Sequence, residues 1–217
     1  MFNEKIEQNE TCRIEPISIE EINGVSYESY SAVTSYKELF HLYPQITECI
    51  QSAFGGSIDI SDLRHHIKGD MIILARDKNS GQVIGFSSTE ISSPRSLFLR
   101  NDLPEDLGCY MAAATVKKET QKLNIYTNMT MLRLNFAIEK GIKLLFTRTQ
   151  NPRVEETLTL LLDKTIGKGK YSVSRIYVPN CYKKMLTEDE PIGKYLTYRT
   201  EINYDNGDAY IIFFTIL

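Results

Sequence analysis

The sequence has no tryptophan, and among its 217 residues it has only four cysteines and three histidines. Cys12, Cys49, Cys109 and Cys181 are scattered, with no Cys-x-x-Cys pair, so neither a zinc ribbon nor a disulfide framework is indicated. His65 and His66 are adjacent and would point in different directions on a helix or a strand, so no metal site is expected. No cysteine has an assigned histidine partner for nucleophilic chemistry. No apolar run approaches the roughly 20 residues of a membrane-crossing helix. The longest such run, Ala209 to Leu217, has the length of a strand. The segment Met1 to Glu10 is polar and acidic, lacking the basic and apolar regions of a signal peptide. The expectation is a cytoplasmic protein with no membrane partner.

A cationic excess is missing too. The formal net charge is -3, from 25 basic and 28 acidic residues. Nucleic-acid binding draws its affinity from neutralising phosphates, so no nucleic-acid partner is expected. One stretch is locally basic: Lys164, Lys168, Lys170, Arg175, Lys183 and Lys184 are interleaved with Tyr171, Tyr177 and Tyr182. It reads as a solvated loop face, with an interaction surface for an acidic partner, or even RNA, as the alternative. Gly167-Lys-Gly-Lys170 does not follow a strand in phosphate-loop frame and reads as a connector.

What is present suits one domain, 1–217, with a real core: 42% of the residues are hydrophobic and 24% charged. A loose alternation over Cys12 to Ile19 gives a weak strand, followed by a polar stretch from Ser26 to Ser35. Apolar residues at helical spacing from Tyr36 to Phe54 predict a helix, kinked or divided at Pro44 and stopped at Gly55-Gly56. A short helix is predicted within Ile58 to Lys68. Met71–Ala75 and Gln82–Ile91 flank the turn residues Asp77 to Gly81 and predict a hairpin. A loop over Ser92 to Leu107 leads to a strand at Cys109–Val116, whose central alanines suggest close packing against something.

Ile125, Met129, Leu132, Phe136 and Ile138 mark the strongest helix, stopped at Gly141. Lys143–Thr147 is an apolar strand. Asn151-Pro152 opens a helix from Arg153 to Asp163, with asparagine capping and proline at the first turn. Leu196–Tyr204 and Ala209–Leu217 flank Asp205-Asn-Gly207 as a second hairpin, and the last strand should lie inside the sheet. The expected fold class is α/β (α+β): a mixed, mostly antiparallel central sheet with helices on both faces.

The segment from Cys109 to Leu158 carries the chemistry. A strand ending at Val116 leads through a short connection to Gln121 and a new helix, whose first N–H groups can bind phosphate. The next strand ends in Thr149-Gln-Asn151. This pattern resembles the acyl-coenzyme A site of the Gcn5-related N-acetyltransferases. In that family a strand ending in Val is followed five positions on by Gln or Arg, then x-x-Gly-x-Gly/Ala and a helix. A Thr-x-Asn follows the next strand. The resemblance covers roughly Met71 to Leu162. It departs from the family at Asn124 and Tyr126, which replace the two small residues. Asparagine can adopt the left-handed backbone such a turn uses; tyrosine either points aside or blocks the pocket. The usual tyrosine acid has no match among Thr157, Leu158 and Thr159.

The resemblance implies an N-acyltransferase using acetyl-CoA and no metal, with a small-molecule or protein amine as acceptor, acting as a monomer or homodimer. It implies CoA contacts from Thr115, Val116, Gln121, Lys122, Leu123, Asn124, Tyr126, Thr127 and Asn151. Glu90, late on a neighbouring strand, is the carboxylate placed to take the amine proton. Tyr110 on the central strand is the candidate to face the acceptor. The alternative is a module on the same fold that binds acyl-CoA or a protein partner but has lost transfer.

Overall fold

The computed structural model describes residues 15–31, 42–54, 69–149, 151–179 and 208–217. Its first turn is Asn23-Gly24, with φ of 51° and 78°. Positive φ at both positions is what a two-residue hairpin needs. The turn joins β1 (Ser18–Ile22) to β2 (Val25–Ser31), with Ile22 paired to Val25. This hairpin corrects the reading of the N-terminal third, where the strand was expected earlier and Ser26 onward was taken as a polar stretch. In β2, Val25, Tyr27 and Tyr30 are buried, and Glu28 is held by the Arg76 guanidinium at 2.8 Å.

Helix α1 (Tyr43–Phe54) begins at the proline instead of being kinked by it. Pro44 stands in the first turn, where its missing N–H has no helical partner to lose. Residues 36–41 of the expected span, the helix in 58–68, the strand at 196–204 and the turn at 205–207 lie outside the described residues. The hairpin β3 (Met71–Asp77) and β4 (Val83–Ser92) forms as expected. Asp77 Oδ1 accepts from the Asn79 and Ser80 N–H groups at 3.1 and 2.8 Å within its turn. The loop that follows contains one short helix, α2 (Pro94–Phe98), capped by Ser93.

The strand expected over 109–116 is divided into β5 (Gly108–Tyr110) and β6 (Ala114–Val116). A 3₁₀ turn (Lys118–Leu123) leads into α3 (Ile125–Glu139). β7 (Leu144–Thr149), α4 (Pro152–Thr165), β8 (Tyr171–Val178) and β9 (Ala209–Ile216) complete the chain. β8 takes up much of the basic, tyrosine-bearing stretch that read as a loop.

The sheet order is β1-β2-β3-β4-β5-β7-β9-β8, with β6 also paired to β4. All pairings are antiparallel except β5 with β7. β9 lies inside the sheet, as its two apolar faces predict, and β7 and β8 occupy both of its edges. Helices cover both faces. On one face Ile46, Cys49 and Ile50 of α1 pack on Ile72, Leu74 and Phe86. On the other, Ile125, Met129 and Leu132 of α3 pack on Ile73, Ala75 and Ile84. Leu134 and Ala137 of α3, with Leu158, Leu161 and Leu162 of α4, cover Leu145, Ile212 and Phe214. Leu97 and Phe98 of α2 flank Phe146, Ile211 and Phe213 on the α1 side.

Candidate functional site

A fork opens in the middle of the sheet. The parallel pair β5–β7 runs from Gly108↔Leu144 to Tyr110↔Phe146. It ends where the Met111 N–H donates to the Phe146 carbonyl at 2.8 Å and Thr147 Oγ1 donates to the Met111 carbonyl at 3.2 Å. Beyond that point β6 follows β4 alone, while β7 continues to Thr149 beside β9. Ala112, Ala113 and Ala114 are only partly buried although they lie at the centre of a nine-stranded sheet. Their small side chains leave the fork open, which replaces the expectation of an unbroken, closely covered strand.

The register fixes which main-chain groups face the fork. Ser88 N–H donates to the Ala113 carbonyl and Lys117 N–H to the Ile84 carbonyl, at 2.8 and 2.9 Å. Antiparallel strands alternate, so residues 113, 115 and 117 turn towards β4, and the N–H and C=O groups of Ala114 and Val116 turn away from it. Thr115, expected at the cofactor, therefore has its main chain directed at Phe86, and its buried hydroxyl has no partner among the described residues. The Val116 side chain is in the core, leaving its main-chain groups for the fork.

At the end of the fork the chain prepares a helix start. Gln121, Lys122 and Leu123 lie in the 3₁₀ turn, and Asn124 takes the left-handed conformation (φ 56°, ψ 20°) without capping α3 through its side chain. The first helical bond runs from Asn128 N–H to the Asn124 carbonyl at 3.0 Å. The N–H groups of Ile125, Tyr126 and Thr127 thus have no acceptor within α3 and carry the positive end of its dipole. Asn124 is exposed, and Tyr126 and Thr127 are partly so. The Tyr126 ring packs on the cluster containing Val25, Val116 and Ile125, and its phenol lies against the Arg133 guanidinium. The tyrosine in the second glycine position points along its own helix. The turn is also fastened to α1: Lys118 N–H donates to Ser52 Oγ at 3.3 Å, and buried Lys117 Nζ donates to Glu48 Oε1 at 2.5 Å.

Across the fork, Asn151 Oδ1 accepts from Arg153 N–H at 3.0 Å, and Asn151 N–H donates to Thr149 Oγ1 at 2.9 Å. Asn151 is exposed and sets the first turn of α4. That helix offers no phenol at its second turn: Leu158 is in the core and Thr159 lines a hollow of about 500 Å³ with Glu155, Arg175 and Tyr210.

Glu90 and Tyr110 are cross-strand partners on the face away from α3, at the last residues before the fork. Burial, and then the Asp70 charge, raise the Glu90 carboxyl above its ordinary value. Asp70 is fixed by the Ile91 N–H, which donates to its Oδ2 at 2.6 Å. Tyr110 stands edge-on to Phe98, with ring centroids 5.5 Å apart, and Arg148 lies over the Phe98 ring at 5.5 Å. Asp70 and Arg133 were missed in the sequence. Asp70 precedes a strand with no motif around it. Arg133 has one sequence signal: with Tyr126 and Thr130 it makes a polar line between the two apolar stripes of its helix.

No family model matches the chain, and no curated protein matches it. Solved structures do. Naa20 from Chaetomium thermophilum, crystallised with a bisubstrate analogue, superposes with a TM-score of 0.52 at 15% identity, over 88% of this chain and 86% of that one. The ribosomal-protein-S18-alanine N-acetyltransferase from Escherichia coli gives 0.52 at 10% identity, over 88% and 93%. A GNAT family acetyltransferase from Elizabethkingia anophelis with acetyl-CoA bound gives 0.51 at 13%, over 90% and 100%. The chain has the fold of the Gcn5-related N-acetyltransferases.

Proposed function

We propose that the protein transfers an acyl group, most simply acetyl, from acyl-CoA to a primary amine by direct attack within a ternary complex. The observation that carries this reading is the alignment of two features: an open fork between β6 and β7, and a helix start beyond it with unused amides. The amides of Ile125, Tyr126 and Thr127 suit a pyrophosphate. The unpaired main chain of Ala114 and Val116 suits the amide groups of a pantetheine arm lying along β6 as an added strand would. Acyl-CoA thus fits the residues present, and it would supply the activated thioester.

At the inner end of the fork the chain offers a base on one side of the break. An amine attacks only as the neutral species, and Glu90, directly or through water, takes its proton. The new C–N bond forms as the C–S bond breaks. The main-chain N–H of Ala114, which turns away from β4, would polarise the thioester carbonyl. The leaving thiolate takes its proton from water, since α4 presents no phenol. That same lack favours a second reading, a module that binds acyl-CoA without turnover. Isothermal titration with acetyl-CoA, followed by a free-thiol assay over a panel of small amines and peptide N-termini, tests both. Binding with amine-dependent thiol release supports transfer, binding alone supports the second reading, and no binding overturns both.

A further inference from the structure

Arg133 is the largest of the fully buried side chains, at 2% exposure. It stands on α3 in line with Tyr126 and Thr130, between the cluster under β3 and β4 and the cluster under β5 and β7. That seam runs beneath the place where β5 and β6 part. A buried guanidinium ordinarily requires a carboxylate. Here the groups that bear on its charge are Tyr126, Cys109 and Tyr110, and burial lowers its pKa. Nη2 contacts Thr130 Oγ1 at 3.3 Å, Nη1 contacts the Ser88 carbonyl at 3.4 Å, and Nε has no partner among the described residues.

The contact with Ser88 is informative. Ser88 and Ala113 are opposite one another in a register where two hydrogen bonds are due. One is made, from Ser88 N–H to the Ala113 carbonyl. Among the described residues no main-chain N–H reaches the Ser88 carbonyl; the Arg133 guanidinium is there instead. The second bond is missing next to the break between Tyr110 and Ala113, and the guanidinium reaches the Ser88 carbonyl instead.

We infer that Arg133 is a positioning residue: by taking the Ser88 carbonyl from below the sheet it holds the Met111–Ala114 break open, so that the Ala114 N–H, which turns away from β4, is free to polarise a thioester carbonyl in the fork. Its positive charge acts in the same direction, favouring the oxygen that becomes negative as the amine adds. This rests on the acyl-CoA reading above. Without the arginine, the Ala113 N–H closes onto the Ser88 carbonyl and the break tightens around its one-residue register offset.

Isotope-edited infrared spectroscopy of bound acetyl-CoA, labelled with carbon-13 at the thioester carbonyl, tests this directly. In the unmodified protein the carbonyl stretch should fall below its value in water. In Arg133→Met it should return towards the value in water, with kcat for any accepted amine reduced on the order of tenfold and acetyl-CoA affinity held within about threefold, since the phosphate contacts are untouched. Arg133→Lys keeps the charge but loses the planar fork, and should lie between the two; it also serves as the test if the methionine variant does not fold. No acetyl-CoA binding removes the acyl-CoA reading and this inference with it, whereas an unshifted band on bound acetyl-CoA overturns this inference alone. A band equally displaced in the unmodified protein and in the folded variants leaves that reading standing and overturns the role of Arg133.

Discussion

A carboxyl group partly buried beside a second carboxylate holds its proton more tightly than one in water, and Glu90 is in that position next to Asp70. Its folded-state pKa lies above the ordinary 4.5, so between those two values the folded protein binds more protons than the unfolded chain. Stability from this group therefore falls as pH rises through that window. Glu90→Gln should melt higher than the parent at pH 7 and no higher at pH 4, as differential scanning calorimetry at the two values would show. As a base Glu90 must be ionised, so turnover should decline as pH falls through the raised value. The same variant should lose on the order of 10²-fold in kcat or more with little change in acetyl-CoA affinity. Tyr126 has a different consequence. Because its ring is packed aside, Tyr126→Gly should not raise CoA affinity, and it should cost about 2 kcal/mol in urea titration through lost packing and a glycine within a helix. The left-handed turn at Asn124 was legible in the sequence, since asparagine tolerates it. The direction of Tyr126 was not, because Arg133, seven residues further on in a buried seam, sets it.

Elements with local punctuation were readable from their own residues. The β3–β4 hairpin follows from Asp77 and its turn, and α4 follows from Asn151-Pro152. Asn151→Ala should therefore cost about 1 kcal/mol through the lost cap, measurable by chemical denaturation. The break between β5 and β6 has no such mark: three alanines are neutral about leaving a strand, and the departure depends on Ser88 and Arg133 on other elements. β8 was hidden because most of its side chains are exposed and polar, and only its pairing with β9 makes it a strand. The distance between α3 and β4 is set by Gly85. A Cβ there would stand 2.9 Å from Ile125 Cγ2 and 3.1 Å from Ala75 Cβ. Gly85→Ala should push the start of α3 outward at about 1–3 kcal/mol. Weaker acetyl-CoA binding should accompany the lowered denaturation midpoint, because Ile125 is the first residue of α3, whose free amides are proposed to hold the pyrophosphate.

For the molecule as a whole, ligand binding and stability are coupled. Acetyl-CoA at about 100 times its Kd should add about 2.7 kcal/mol to the unfolding free energy, and a thermal shift that grows with the logarithm of its concentration would show it. The mixed sheet with helices on both faces was legible at this scale, because alternating and helical apolar patterns determine it. The strand order was not, and its most consequential departure is at β9. That strand follows β8 in the chain but lies between β8 and β7, with Ile212 and Phe214 in one face's core and Ile211 and Phe213 in the other's. Synthesis therefore delivers residues 171–178 before the strand that pairs with them, and until residues 209–216 arrive, β7 has a bare edge and residues 171–178 have no strand to pair with. A nascent chain halted at that stage would be sticky, a substrate for chaperones or for pairing with its own copies. A peptide of Ala209–Leu217, added in trans to a chain shortened by those residues, should pair along β7, recruit residues 171–178 as its other neighbour and restore a cooperative melt.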